Sequence, residues 1–136
     1  LIARRLISQF GVWNLLFVSI ALTGLRWYVM AAFADTFMVI VLSQLIHALS
    51  FGLTHAVSVH FIHQFLPKAY QSRGQAVYIS IAFGLGGAFG NYMAGQQWQQ
   101  GTNAYETFVT AAVFAAIGAL SLLLCSRKEM ESAKAA

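Results

Sequence analysis

Residues 12–33 read VWNLLFVSIALTGLRWYVMAAF, an almost unbroken apolar run interrupted by Asn14, Arg26 and small polar residues. A helix crossing the hydrocarbon core of a bilayer needs about 20 largely apolar residues. This stretch has that length and does not alternate, so it reads as a membrane-spanning helix. A strand of a membrane barrel would be a run of about ten alternating residues.

Three more stretches of the same kind follow. The second runs from about residue 37 to 66 and ends at Pro67, the single proline. Proline has no N–H to donate and restricts the residue before it, so a helix stop is expected there. The third runs from about 75 to 95 and the fourth from about 105 to 125. Asp35, in the short turn after the first stretch, is placed to cap the second. Four spans fill the 136 residues, leaving a tail at 126–136 and no room for a soluble domain. The expected fold is an all-α membrane protein of four transmembrane helices.

Composition agrees. Hydrophobic residues make up 59% of the chain and charged residues 9%, with a mean hydropathy of +0.67. A water-soluble domain carries about a quarter charged residues. The surface of this chain is built for lipid, and its net charge of +4 concerns topology rather than nucleic acid. The lone Cys125 cannot pair within the chain. The first residue, Leu1, is not methionine, and the first apolar run is too long for a cleavable signal. This reads as a start inside a longer protein.

Basic residues orient the spans. Arg4 and Arg5 precede the first; Lys68 and Arg73 lie between the second and third; Arg127, Lys128 and Lys134 follow the fourth. The opposite loops, around Asp35 and from Gln96 to Asn103, contain no Lys or Arg. The positive-inside rule puts both termini in the cytoplasm. Tyr70 and Trp98 then fall at the inner and outer interfaces.

The polar residues within the spans carry the candidate chemistry. A membrane-embedded Arg costs about 3 kcal/mol on insertion scales, so Arg26 is expected to face a partner or a water-filled cavity. On the second span Gln44, His47, Phe51, His55, Ser58 and Ile62 share one helical face. Antiparallel packing of the first two spans brings Arg26 and His47 to similar depth. Histidine changes protonation near neutral pH, which suits proton relay or solute binding. His60 and His63 lie near the cytoplasmic end, within reach of interfacial water. On the third span Asn91 projects from a row of Gly84, Gly86, Gly87, Gly90 and Gly95, and Tyr78 with Gln75 faces an inner vestibule. The glycine row is expected to serve close helix packing. The fourth span, nearly without polar groups, reads as a lipid-facing support.

Enzymatic chemistry is not indicated, because no nucleophile or metal cluster converges. All four histidines lie on one span, which disfavours a bis-histidine haem, and His60-x-x-His63 has no Cys, Asp or Glu nearby to complete a metal site. No cofactor is expected.

Several segments carry a resemblance. Arg4-Arg5-Leu6-Ile7-Ser8-Gln9-Phe10-Gly11 resembles the cytoplasmic loop between helices 8 and 9 of major facilitator superfamily transporters. Leu25-Arg26-Trp27, Gln44-Leu45-Ile46-His47-Ala48-Leu49-Ser50-Phe51-Gly52 with His55, Arg73-Gly74-Gln75-Ala76-Val77-Tyr78 and Gly84-Leu85-Gly86-Gly87-Ala88-Phe89-Gly90 are similar to the same group. Together they resemble the phenylpropionic acid permease branch, related to sugar and nucleoside proton symporters. The resemblance implies helices 9 to 12 of a twelve-helix alternating-access transporter in a bacterial inner membrane, whose remaining helices lie N-terminal to this segment. It implies a small organic solute such as 3-phenylpropionate, coupled to protons. In lactose permease-like relatives an Arg on helix 9 and a His on helix 10 join the coupling network, and Arg26 and His47 occupy comparable positions. Those relatives also have an acidic residue on helix 10; the second span here has none, so the proton-carrying carboxylate would lie upstream. The alternative from another class is a four-helix anchor or assembly subunit without transport. A reading frame that extends upstream by about eight spans separates the two.

The topology is checked by reporter fusion. A cytoplasm-dependent reporter placed at Lys68–Arg73 or after Arg127 is expected to be active, and one placed at Gln96–Asn103 inactive.

Overall fold

The computed structural model describes residues 2–132; Leu1 and the tail cation Lys134 lie outside that range. Within it the secondary structure is helical: α1 (Ile2–Phe10), α2 (Val12–Phe33), α3 (Phe37–Phe65), α4 (Gln71–Ile79), a π-helical turn (Ser80–Leu85), α5 (Gly86–Trp98), α6 (Ala104–Ser121) and α7 (Arg127–Ser132). Short 3₁₀ turns join α3 to α4, α5 to α6 and α6 to α7. Three helical stretches are long and apolar enough to cross a membrane, Val12–Phe33, Phe37–Phe65 and Ala104–Leu124. Large apolar side chains such as Phe37, Leu45, Leu85 and Leu124 lie exposed, as lipid contact requires.

The segment expected as the third span differs. Its path stays helical from Gln71 to Trp98 but changes pitch at Ser80–Leu85. Glycine is the weakest ordinary α-former, by about 1 kcal/mol relative to alanine. Gly84, Gly86 and Gly87 at the pitch change leave the backbone there with little preference for the α form.

At Pro67 the expectation is met: α3 stops at Phe65, and Leu66 before the proline is extended (φ −101°, ψ 141°). At the other end Asp35 does not cap α3. Thr36 holds the cap position without a side-chain bond, and its carbonyl accepts from the N–H groups of Val39 and Ile40.

Helix α2 is the centre of the fold, flanked by α3 and α6. Towards α3 it presents Val12, Ser19 and Arg26, seven residues apart; α3 answers with Ser43, Ser50 and Val57 at the same interval. All six are between 0% and 5% exposed. A seven-residue repeat keeps one seam facing its partner along two slightly crossed helices. The serines need no water there: Ser19 donates to Leu16 O (3.0 Å), Ser43 to Ile40 O (2.7 Å) and Ser50 to His47 O (3.3 Å). Thr54 Oγ1 lies 2.8 Å from both Ser19 Oγ and Ser50 O. Its one proton serves either, and the first choice bonds α3 to α2.

Towards α6 the seam is made of small residues. A Cβ on Gly24 would stand 3.5 Å from Ala112 O and from Ala115 Cβ, and one on Gly118 would stand 3.6 Å from Ile20 Cγ2. Such spacing accommodates a methyl group and little more, so the α2 and α6 backbones approach closely. This revises two expectations. The helix read as a lipid-facing support is a close-packing partner of α2. The glycine row of the π turn and α5 makes no close helix contact: a Cβ added at Gly84, Gly87, Gly90 or Gly95 would have no neighbour within 4 Å among the described residues, and one at Gly86 would meet Ile81 O of its own turn at 3.4 Å.

The start of α2 and the end of α6 are tied together by α7, which the sequence presents as a plain tail. Gly11, at φ +80°, forms the elbow between α1 and α2, and the Glu131 carboxylate occupies the space a Cβ there would need. Trp13 N–H, in the first turn of α2, donates to Glu131 Oε1 (3.2 Å). An anion there satisfies an orphan amide and complements the positive end of the helix dipole. The Trp13 indole donates to Leu122 O (3.0 Å), and the Arg127 guanidinium lies 5.3 Å from its ring. Met130 packs against the core of Ile7, Val12, Leu15, Leu16 and Val57.

Glu131→Ala is expected to lower stability by about 1 kcal/mol, the usual worth of a helix cap. Replacing the exposed neighbour Glu129 by Ala is expected to change it by less than about 0.5 kcal/mol. Thermal unfolding in detergent checks both.

Candidate functional site

A cavity of about 340 Å³ opens between α2, α3, α6 and the α4–π-turn segment, lined by His47, Phe51, Thr54, His55, Tyr78 and Phe83 together with Ile20, Thr23, Ala82, Phe114, Ala115 and Gly118. Its α3 wall follows from the seam beside it. With Ser50 and Val57 turned to α2, the positions one step around the helix, Phe51 and His55, face the α4 side, and His47 joins them.

Five rings define the cavity's character. Phe51 and His55 are parallel to within 5° at 6.3 Å, and His47 lies 5.6 Å from Phe51. Tyr78 sits 5.9 Å from His55 at 31°. Phe83 stands across this wall, edge-on at 67° to Phe51, 63° to His55 and 80° to Tyr78, with centroid separations of 5.6 to 5.9 Å. These are the offset and edge-to-face geometries that ring quadrupoles favour. His55 Nδ1 is buried and has no hydrogen-bond partner among the described residues.

The π turn explains how Phe83 arrives here. Five residues separate it from Tyr78, and at α-helical pitch two such residues point about 140° apart. The wider π turn closes on the i+5 residue, as in the bond from Gly86 N–H to Ile81 O, so Tyr78 and Phe83 share one face. Reading the segment at α pitch therefore misses Phe83. Glycine density at Gly84, Gly86 and Gly87 is the one signal in the sequence that marks the irregularity.

Of the residues singled out from sequence, the cavity gathers His47, His55 and Tyr78. Arg26 stands apart from it. Counting seven residues from Ser19 along α2 and seven back from Thr54 along α3 reaches Arg26 and His47, so the antiparallel register set by that hydrogen bond puts them at one level. Yet Arg26 points into the α2 seam, 5% exposed, with its guanidinium 3.9 Å from the Trp27 ring centroid and Nε unpartnered among the described residues. Trp27 in turn stacks on Phe108 of α6 at 5.7 Å. A desolvated cation–π contact is worth about 2 kcal/mol, which offsets much of the roughly 3 kcal/mol of burying an Arg in a membrane helix. Gln44 and Asn91 are exposed and line no part of the cavity.

The shared stripe on α3 also divides. Ser58 and Ile62 border a separate apolar groove beside Gly74, where a Cβ on Gly74 would overlap Leu66 Cδ1. Among the described residues no three His, Cys, Asp or Glu side chains form a metal-sized group.

Residues 1–110 match the MFS_1 like family. The chain is 27% identical over 130 residues to the maltose permease of Geobacillus stearothermophilus, covering 93% of this chain and 32% of that protein. It thus spans about a third of the length of that relative. No solved structure matches the chain.

Proposed function

The chain belongs to the MFS_1 like family, and on that premise we propose that it forms part of a secondary active transporter for a small organic solute, coupled to protons. In this reading it supplies four spans equivalent to helices 9 to 12, the third being the α4–π–α5 segment, in an inner membrane with both termini cytoplasmic. The N-terminal remainder of the transporter supplies the facing half of the pathway and the proton-carrying carboxylate. The observation that carries the reading is the cavity itself: His47, His55, Tyr78 and two phenylalanines meet inside a helical bundle whose outer surface suits lipid. Such a site between helices can be exposed to either side in turn by rocking one bundle against the other.

The roles then divide. His55, with a free Nδ1, and Tyr78 hydrogen-bond the solute; His47 exchanges protons. Arg26, level with His47 but held on Trp27, attracts an anion or carboxylate that reaches its unpartnered edge. Gln44 and Asn91, exposed in this segment, face the remaining helices. Rings on the cavity wall favour an aromatic acid such as 3-phenylpropionate. A sugar is the second reading, favoured by the likeness to a maltose permease and by the lack of any Arg or Lys among the cavity-lining residues.

Uptake of labelled 3-phenylpropionate and of maltose by cells expressing the natural full-length protein tests this. Accumulation of 3-phenylpropionate that collapses with the proton gradient is expected, and Arg26→Ala and His47→Ala are each expected to lower it at least tenfold. Uptake of maltose alone decides for the sugar. Unchanged uptake and coupling in both variants removes the roles given to Arg26 and His47.

A further inference from the structure

We propose that Phe83, carried into the cavity by the π turn, is the residue that selects a ring-bearing solute over an open-chain one. This rests on the transport reading above and adds the determinant of its specificity.

The cavity has two walls that meet at a corner. Phe51 and His55 stack on one another, with Tyr78 tilted beside them, while Phe83 crosses all three at 63° to 80°. A flat or pyranose ring entering the cavity beside this cluster can set its face or edge against Phe83 and the rings it crosses. An open chain of equal volume gains neither geometry. The unpartnered His55 Nδ1 lies in the same wall, so the favoured solute is a ring bearing a hydrogen-bonding group. Both an aromatic acid and a sugar have that chemistry.

The π turn is the device that makes the corner. At α pitch Phe83 would point away from Tyr78, and the cavity would keep one aromatic wall. A π turn is rare and, where it interrupts an α-helix, is frequent at functional sites. A Cβ added at Gly87, Gly90 or Gly95 would meet no neighbour within 4 Å among the described residues, so the glycines that follow the turn do not themselves serve a close helix contact.

The experiment measures KM for uptake by the full-length protein with two solute pairs, 3-phenylpropionate with hexanoate and maltose with sorbitol. In Phe83→Ala the KM of the ring-bearing member is expected to rise about threefold to tenfold, the scale of one aromatic contact, while that of the open-chain member stays within about twofold of its unsubstituted value. Phe83→Tyr is expected to keep the preference. Should Phe83→Ala fail to accumulate in the membrane, Phe83→Leu, which preserves most of the volume without the ring, decides in the same way. Equal movement of both KM values, or of neither, assigns Phe83 to packing and overturns the inference while leaving transport intact. No uptake of any of the four solutes by the unsubstituted protein overturns the transport reading itself, and the inference with it.

Discussion

Everything in this structure is referred to the seam between α2 and α3. Two helices of lipid-facing composition meet through Val12, Ser19 and Arg26 on one side and Ser43, Ser50 and Val57 on the other. In lipid, apolar side chains gain nothing by leaving the solvent, so association depends on close packing and on polar groups that find partners. Small hydroxyl residues meet both needs. They let the helices approach, they bond back to their own turns, and Thr54 reaches across to Ser19. The register of that contact sets the level of Arg26 against His47 and turns the rings of α3 towards the cavity.

The two faces of α2 use different means. The α3 face uses hydroxyls and a buried cation; the α6 face uses the absence of side chains at Gly24 and Gly118. Helix α2 is packed on both sides, and α7 reinforces its end through Glu131, Arg127 and Met130. The α4–π–α5 segment is held more lightly. It touches the bundle through Gly74, the ring cluster around Phe83 and the edge-on pairs Phe89–Phe114 and Trp98–Phe108, and leaves most of its glycine row open. The cavity thus joins a wall on α3, packed against α2, to one on the π turn that has fewer neighbours.

Of the cavity, His47, His55 and Tyr78 were legible in residue type and spacing. Histidines at 47 and 55 on one helical face, with an Arg at similar depth on the antiparallel neighbour, are readable from α periodicity and turn position. Phe83 was not, because the angle assigned to each residue of that segment assumed α pitch. Nor could spacing tell which of two small-residue rows would pack. The conspicuous one, on α5, stays open, while the sparser Gly24, Ala112, Ala115 and Gly118 set is the close contact. A row of glycines permits approach from any partner, but which partner arrives depends on the whole bundle.

The sequence by itself determined the solvent, the class of fold and its punctuation. Apolar runs of about 20 residues require helices in a bilayer, and Pro67 ends one of them for a local steric reason. Cation placement along the chain argues for one orientation on the same local terms. What tertiary structure decided was every property that depends on two elements at once: Trp27, on which Arg26 rests, stacking on Phe108 of α6, Glu131 capping a helix more than a hundred residues away, and Phe83 joining His55. Local chemistry is written along the chain. The angle at which one helix meets another, and the pitch a glycine-rich segment takes to meet it, are settled by packing.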